Sequence, residues 1–502
     1  MSTASISLRD ALLAALSTLD GVREFHLHVL LSAPKKTTSL YPYASPRPRA
    51  YVSDILVLCS EQEKPDAPRV LVTAIAANVY HIPATSSAVF YVSKVDSTGQ
   101  GQGRSPTAAL LRALLSFYAY PATRPLEAEH LWIQLFARAQ GQYLFPNSAE
   151  FSGKQPLTDA KLCSWWKRVL TQVGRDVHAK ASNSIQAPNA FYILPGYSQP
   201  EAEDLLRIAS SSATPLTNPI PWTYGHPYSR PGIRSPCPQE ENEVNLGTYI
   251  PWFDDDPKSR FIDEIALIVT TTEGIVASPS KKRPKRDLLS DASSASSKHG
   301  DTDKSTRSSK EEKPMGELRK VSADEFWERM SFRQECVSGA VTGFFTVVFS
   351  TASTPRSTVS PLAPRAGQVG PQLLKRVMTL LLTGVEFSTR DKSARSTETV
   401  ESAIKGLCEG ISAAPSQPVV DVVREKEAGL APPSTPPRNR TALPDISPNP
   451  FPEPVASLDT YHSYIYGSIG VNEPISEGAR PAAPTPAVTV LTARRKKKRG
   501  ET

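Results

Sequence analysis

Apolar positions along this chain follow two rhythms. Leu8, Ala11, Leu12, Ala15, Leu16 and Leu19 recur at helical spacing behind Ser7 and Asp10, which make a capping-box-like start. The period then shortens. "FHLHVLL" (25–31) alternates strictly, and "VSDILVLCS" (52–60), "RVLVTAIAANVYHI" (69–82) and "SAVFYVSKVD" (87–96) also read as strands. Helical spacing returns at "SPTAALLRALLSFYA" (105–119) and "LTDAKLCSWWKRVLTQV" (157–173). In the second, Leu162, Trp165, Trp166, Val169, Leu170 and Val173 mark a packed face. Residues 1 to about 275 thus predict a mixed α/β domain.

From about Ser278 to Lys320 the chain turns to Ser, Lys, Asp and Glu with almost nothing to bury, which predicts a disordered insertion. Periodicity resumes at "SADEFWERMSFRQECVSGAVTGFF", where Ser322 and Glu325 form a second capping box. Amphipathic helices are expected near "PQLLKRVMTLLLTGVEF" and "TETVESAIKGLCEGI". Their apolar faces fit the core of the first domain, so 1–413 is read as one domain. Residues 414–486 are proline-rich and read as a disordered linker, and 487–502 as a tail ending in six basic residues, Arg494 to Arg499.

Composition narrows the classes. With 46 prolines in 502 residues, much of the chain is expected to lie outside a packed core. A net charge of +7 points to acidic partners where it clusters. The five cysteines are scattered without a C-x-x-C pair, which argues for a reducing compartment and against a cysteine-based zinc site. The longest apolar run, from Gly339, is too short to span a bilayer, so the expectation is a soluble intracellular protein. Two basic runs, Lys281–Arg286 and Arg494–Arg499, favour a nucleus over a merely solvated tail.

Four stretches carry candidate chemistry. In "IPWFDDDPKSRFIDEI" (250–265), Asp256 and Pro257 suit a helix start, but Lys258 faces the positive end of the helix dipole. Magnesium would need further hard oxygen ligands, and Lys258 stands where a diphosphate-cleaving D-D-x-x-D helix has its third carboxylate. Capping explains the aspartates and leaves the lysine unexplained. The loop "STGQGQGRSP" (97–106) leads into a helix where backbone N–H groups and Arg104 would suit a pyrophosphate; an ordinary flexible loop is the competing reading. His26 and His28 point to one strand face, as zinc ligands would, but a half-exposed face explains them better. Trp165 and Trp166 differ by about 100° around their helix, so one faces the core and the other a cleft.

Five stretches occurring in order resemble one family, the fungal histone H3 lysine acetyltransferases first known as regulators of transposition. They are "YVSKVDS" (91–97), "QYLFPNS" (142–148), "LTDAKLCSWW" (157–166), "DDPKSRF" (255–261) and "FWERMSFRQE" (326–335). The resemblance implies the fold of the large CREB-binding-protein acetyltransferases, a central mixed β-sheet surrounded by helices. It implies acetyl-CoA as co-substrate and no metal. Carried over residue by residue, it places the cofactor along Val95, Asp96 and Ser97, then at Arg104, Ser105 and Thr107. Phe136, Gln140, Tyr143, Lys154, Leu157, Trp165 and Trp166 would form the remaining wall.

The same resemblance implies that Lys258 is buried and acetylated by the enzyme itself, which would remove the charge that opposes the helix dipole. The implied substrates are histone H3 tail lysines and a core lysine near the nucleosomal DNA entry point. They would be presented as H3–H4 by chaperones of the anti-silencing-function and nucleosome-assembly-protein types, the basic tail 487–502 binding the chaperone. The implied setting is the nucleus, in replication-coupled nucleosome assembly, with no membrane and no sequence-specific nucleic acid. Acyl transfer needs the substrate ammonium to lose a proton, and Asp256, with Asp255 as alternative, is the expected acceptor. Two other classes stay open: a non-catalytic chaperone adaptor that keeps the fold, and a nucleic-acid-binding protein using its basic tail.

Overall fold

A computed structural model describes residues 6–181, 185–210, 220–228, 230, 232–239, 245–268, 315–333, 336, 340–351, 359–409 and 449–473. Among them, one eleven-stranded mixed sheet is flanked by helices on both faces, the architecture expected from the sequence. Its strands are β1 (Gly21–Ser32), β2 (Lys35–Thr37), β3 (Ala50–Gln62), β4 (Val70–Ile82), β5 (Ser87–Ser97), β6 (His130–Ala137), β7 (Asn189–Ile193), β8 (Trp222–Tyr224), β9 (Gly343–Ser350), β10 (Gln368–Val369) and β11 (Tyr466–Glu473). The helices are α1 (Leu8–Leu16), α2 (Thr107–Ala119), α3 (Asp159–Ala181), α4 (Gln199–Ala209), α5 (Leu246–Tyr249), α6 (Pro257–Leu267), α7 (Ala323–Met330), α8 (Pro371–Thr383) and α9 (Arg390–Glu409). None of the described helices is long and apolar enough to cross a membrane.

Long apolar runs become β1, β3, β4 and β5 because both faces of the sheet are covered, and they pair antiparallel in order. On one face α1, α2 and α3 bury leucine and valine stripes such as Leu12, Leu16, Leu111, Leu114, Val169 and Val173. The opposite face is divided. Helices α5, α6 and α7 cover the β5–β6–β9 half around Phe253, Phe326 and Trp132. Helices α8 and α9 cover the β1–β3–β4 half around Val377, Val400 and Ile404. The late helices therefore complete the first core, as their apolar stripes predict.

One topological step makes the site. Through the α2 crossover β6 returns parallel to β5, and the two pair from Ser87–His130 to Val92–Leu135. There the pairing stops. Ser93 is an extra residue in β5, since Ala77 faces Val92 and Ala76 faces Lys94; its hydroxyl donates to the Ala76 carbonyl at 2.9 Å. The bulge turns the rest of β5 away from β6. A parallel pair whose carboxyl ends diverge leaves a crevice, the usual ligand position in sheets of this kind.

Three sequence expectations need correction here. Residues 449–473, read as linker, are folded onto the sheet. β11 pairs antiparallel with β1 from Gly21–Glu473 to His28–Tyr466, and Ala456, Tyr461 and Ile465 are buried against α8 and α9. Their short apolar spacing is obscured by the prolines around it. As a result His26 and His28 are buried rather than half-exposed: His26 meets the Tyr466 hydroxyl at 3.0 Å and Gln62 at 3.0 Å, and His28 meets the Tyr461 hydroxyl at 3.1 Å. The predicted insertion lies outside the described residues up to 314, but Met315 and Leu318 already pack on α6, so order begins before Lys320. The tail 487–502 lies outside the described residues.

Burial lowers the His28 pKa to about 4, and that of His26 also falls; Arg69 lowers and Glu401 raises both, and Glu24, 3.9 Å from His26, raises that ring's. A depressed folded-state pKa means stability that is full above the unfolded value near 6.5 and is lost as pH falls toward 4. For His28 alone the loss approaches about 3 kcal/mol. Protection factors of the β11 amides, taken against the intrinsic exchange rate at each pH, should therefore fall between pH 6.5 and 4.5 ahead of those of β3 and β4. Equal protection across that range would contradict this role for the buried pair.

Candidate active site

The crevice opens into a cavity of 1370 Å³. Ordinary small-ligand pockets hold roughly 300–1000 Å³, so this one has room for a nucleotide-sized ligand together with part of a second molecule. Its wall contains every residue expected to bind the cofactor: Val95, Asp96 and Ser97 from β5, Arg104, Ser105 and Thr107 at the start of α2, Phe136 and Gln140 at the end of β6, Tyr143, Lys154 and Leu157 from the loop that follows, and Trp165 and Trp166 from α3.

The fixed centre of this wall is Asp96. Its Oδ2 accepts from the backbone N–H of Tyr143, Leu144 and Phe145 at 2.7, 2.8 and 3.1 Å, and its Oδ1 from Lys154 Nζ at 2.9 Å. Lys154 also donates to Ser148 Oγ at 2.7 Å, and both charges are nearly enclosed. A buried pair with its remaining valences filled is rigid, so Asp96 and Lys154 shape the loop that carries Tyr143. The Tyr143 hydroxyl in turn donates to the Arg138 carbonyl, and burial pushes its pKa up to about 12. Trp165 and Trp166 meet edge to face at 4.9 Å; Trp166 is buried in the main core while Trp165 stays partly exposed in the cavity. Both rings line the cavity, and they are buried to different degrees, as their positions around the helix predict.

The glycine-rich loop is not the free loop of the competing reading. Thr98 and Gln100 are buried, with Gln100 Nε2 donating to Ser393 Oγ at 2.6 Å and to the Phe387 carbonyl at 3.1 Å. Gly99 has φ +73°, and a Cβ there would stand 2.5 Å from the Lys154 Cα, so only glycine fits. This anchors Arg104 and Ser105 at the start of α2, which has no side-chain cap beyond a 3.4 Å contact from Thr107 N–H to Ser105 Oγ. Unsatisfied N–H groups, a helix dipole and an exposed arginine suit a phosphate-bearing ligand.

At the other end of the cavity lies the aspartate turn. Asp256 caps α6, its Oδ1 accepting the Lys258 N–H at 2.9 Å, with Pro257 at the first helical position as its sequence predicts. Oδ2 accepts from Lys258 Nζ at 2.7 Å, and the pair is almost wholly enclosed. The ammonium also lies 4.7 Å from the centre of the Phe344 ring. This corrects the sequence argument that Lys258 is poorly placed: the side chain curls back to a carboxylate two residues away, which outweighs an opposed dipole. Neither Asp256 nor Lys258 lines the cavity. Asp255 does, exposed and paired with Lys94 Nζ at 3.0 Å. Its φ of +62° puts a non-glycine residue in the left-handed region, strain of the sort that collects at functional sites.

Sequence reasoning missed Tyr80, Tyr91, Arg138, Arg168 and Trp252, which also line the cavity. Arg168 lies two residues beyond Trp166 and was within reach of the motif. Tyr91 begins the quoted "YVSKVDS", but strand alternation alone cannot separate a cavity residue from a core one.

With this geometry in place, comparison with known proteins settles the lineage. A model of the histone acetyltransferase KAT11-type domain matches residues 118–403. The chain belongs to this family. It is similar to the histone acetyltransferase rtt109 of Aspergillus flavus, with 28% identity over 372 residues covering 70% of this chain and 57% of the relative. It is 27% identical to that of Schizosaccharomyces pombe over 326 residues, covering 62% of this chain and 66% of the relative. The chain thus spans less than two thirds of either curated relative. The crystal structure of Rtt109 from Aspergillus fumigatus shares the fold with a TM-score of 0.57 at 22% identity, over 79% of this chain and 96% of that one. The KAT11-type match takes in the end of α2, β6, the aspartate turn and α9, so it spans most of the cavity wall.

Proposed function

We propose that this chain is a nuclear histone lysine N-acetyltransferase that uses acetyl-CoA and works on H3–H4 held by histone chaperones. The observation that carries this reading is the cavity, whose one wall gathers all thirteen residues expected to bind the cofactor and whose far end is the aspartate turn. Bound there, acetyl-CoA would supply an acetyl group activated as a thioester. Arg104 and the start of α2 would hold its phosphates, the Asp96–Lys154 pair would keep the loop in place, and Trp165, Phe136 and Leu157 would exclude water from the acyl end.

A histone lysine reaches the cavity as an ammonium and must lose a proton before its nitrogen can attack. Asp256 is the proposed acceptor and Asp255 the alternative. Lys258 is the proposed site of self-acetylation, a reading supported by the 2.7 Å contact that would let Asp256 take its proton. H3 tail lysines and the core lysine near the DNA entry point are the proposed targets, and the basic tail 487–502 the proposed chaperone contact.

Binding of acetyl-CoA separates this reading from that of a non-catalytic adaptor. Titration calorimetry should give saturable binding to the wild type, weakened by Arg104→Ala about tenfold through loss of a charge-assisted contact. In turnover the same variant should raise KM for acetyl-CoA and leave kcat close to normal. A chain that binds no acetyl-CoA would favour the adaptor.

A further inference from the structure

Asp256 cannot receive a proton from the cavity directly. Its side chain has no exposed surface and stands behind the wall. Tyr91, near the end of the paired part of β5, is a wall residue that packs on the same turn. Tyr91 lines the cavity, is only 5% exposed, and stacks flat on Phe253 with ring centres 3.9 Å apart and planes at 3°. Phe253 belongs to the same aspartate turn, held by its N–H donating to Ser259 Oγ at 2.7 Å. The stack therefore fixes the phenol beside the turn that carries Asp256, whose N–H donates to the Phe253 carbonyl at 3.4 Å, and the charge of Asp256 acts on the phenol.

We propose that Tyr91 is a catalytic residue of the transfer reaction, its hydroxyl relaying the proton of the incoming lysine amine to Asp256. This rests on the acetyltransferase reading above and on Asp256 as the final acceptor. The substrate ammonium gives a proton to Tyr91 Oη while the phenol passes its own proton to Asp256. Ammonium and carboxylate become amine and carboxylic acid, and the tyrosine emerges unchanged. The amine nitrogen then forms its bond to the thioester carbonyl carbon, the carbon–sulfur bond breaks, and the thiolate of CoA leaves with the electron pair. The acylated nitrogen sheds its surplus proton to that thiolate, giving the neutral amide and the free thiol of CoA, and the proton on Asp256 returns by the same phenol to water.

Two features suit the phenol to a relay and not to a base. Burial, then the charge of Asp256, pushes its pKa well above 10, so it does not ionise at working pH. Its ring is fixed by the flat stack on Phe253. Lys258 enters the same balance, because its ammonium at 2.7 Å weakens Asp256 as an acceptor; acetylating Lys258 would remove that cation and strengthen the relay.

Tyr91→Phe keeps the ring and its stack and removes only the bridge. At neutral pH it should lower kcat/KM for histone about 10²-fold, the lower range of general-base contributions, with unchanged Kd for acetyl-CoA. The defect should shrink as pH rises toward the amine's own pKa of about 10.4, where substrate arrives deprotonated. The ionisable groups acting on Tyr91, namely Asp256, Tyr80 and Asp255, and the cations paired with those aspartates, Lys258 and Lys94, are the same in both proteins, so the difference between the two profiles belongs to Tyr91. Asp256→Asn should show the same pH dependence, and the double variant should be no slower than the single ones. A Tyr91→Phe enzyme with normal kcat/KM at neutral pH, or with a defect constant across pH, overturns the relay. So does an active Asp256→Asn beside an inactive Asp255→Asn. A wild type that transfers no acetyl sinks the acetyltransferase reading and the relay together, whereas a working wild type unaffected by Tyr91→Phe sinks the relay alone.

Discussion

In protein whose Lys258 is unmodified, Lys258→Ala is expected to lower the free energy of unfolding by about 3–5 kcal/mol, the range for removing one partner of a buried ion pair. The lysine ammonium is 2.7 Å from Asp256 Oδ2, with side-chain exposures of 4% and 0%. Deleting it leaves the carboxylate enclosed, with the α6 backbone N–H at 2.9 Å still donating to its other oxygen. It also removes the cation from the rings of Phe344 and Phe253, at 4.7 and 5.7 Å. Denaturant unfolding measures the change, and a loss below about 1 kcal/mol would show that the pair is not intact in solution. Protein already acetylated at Lys258 has no such cation to delete.

Asp256→Asn should reduce turnover by at least about 10²-fold at saturating acetyl-CoA, because the proposed acceptor is lost. Its stability depends on the state of Lys258. Asparagine keeps a capping oxygen, so a neutral, acetylated Lys258 predicts a change under about 1 kcal/mol. An unmodified Lys258 would be left as an unpaired buried cation, at a cost nearer 3–5 kcal/mol. The two readouts separate: activity reports the acceptor, and stability reports acetylation. Near-normal turnover would move the acceptor role to Asp255, the aspartate whose carboxylate is in the cavity.

Contacts between sequence neighbours were legible, and contacts made by chain return were not. Capping of α1, α6 and α7 by Ser7, Asp256 and Ser322 was read from residues at most three positions from their partners. The thirteen residues expected at the cofactor site share one cavity because motif resemblance, not periodicity, groups them, and the same motifs give no signal for Tyr80 or Trp252. The unequal burial of Trp165 and Trp166 followed from helix geometry. His26 and His28 were misjudged because their cover, Tyr466 and Tyr461, lies 440 and 433 residues away in a proline-rich stretch. The partner of Lys258 was missed for the opposite reason. Asp256 was assigned to capping, and a carboxylate has a second oxygen. β6 and β9 were not named as strands, since short apolar runs buried on both faces lack the alternation that marks a strand.

The central claim is that this cavity moves acetyl groups from acetyl-CoA to histone lysines. Peptide mass spectrometry after incubating the full chain with isotopically labelled acetyl-CoA, alone and with H3–H4 in the presence and absence of a histone chaperone, tests it most directly. The account predicts labelled acetyl on H3 lysines, more of it with chaperone, acetyl on Lys258 in the purified or incubated protein, and much less label on H3 with Asp256→Asn. Acetyl-CoA binding without labelled histone under any of these conditions, and with Lys258 unmodified, would contradict it.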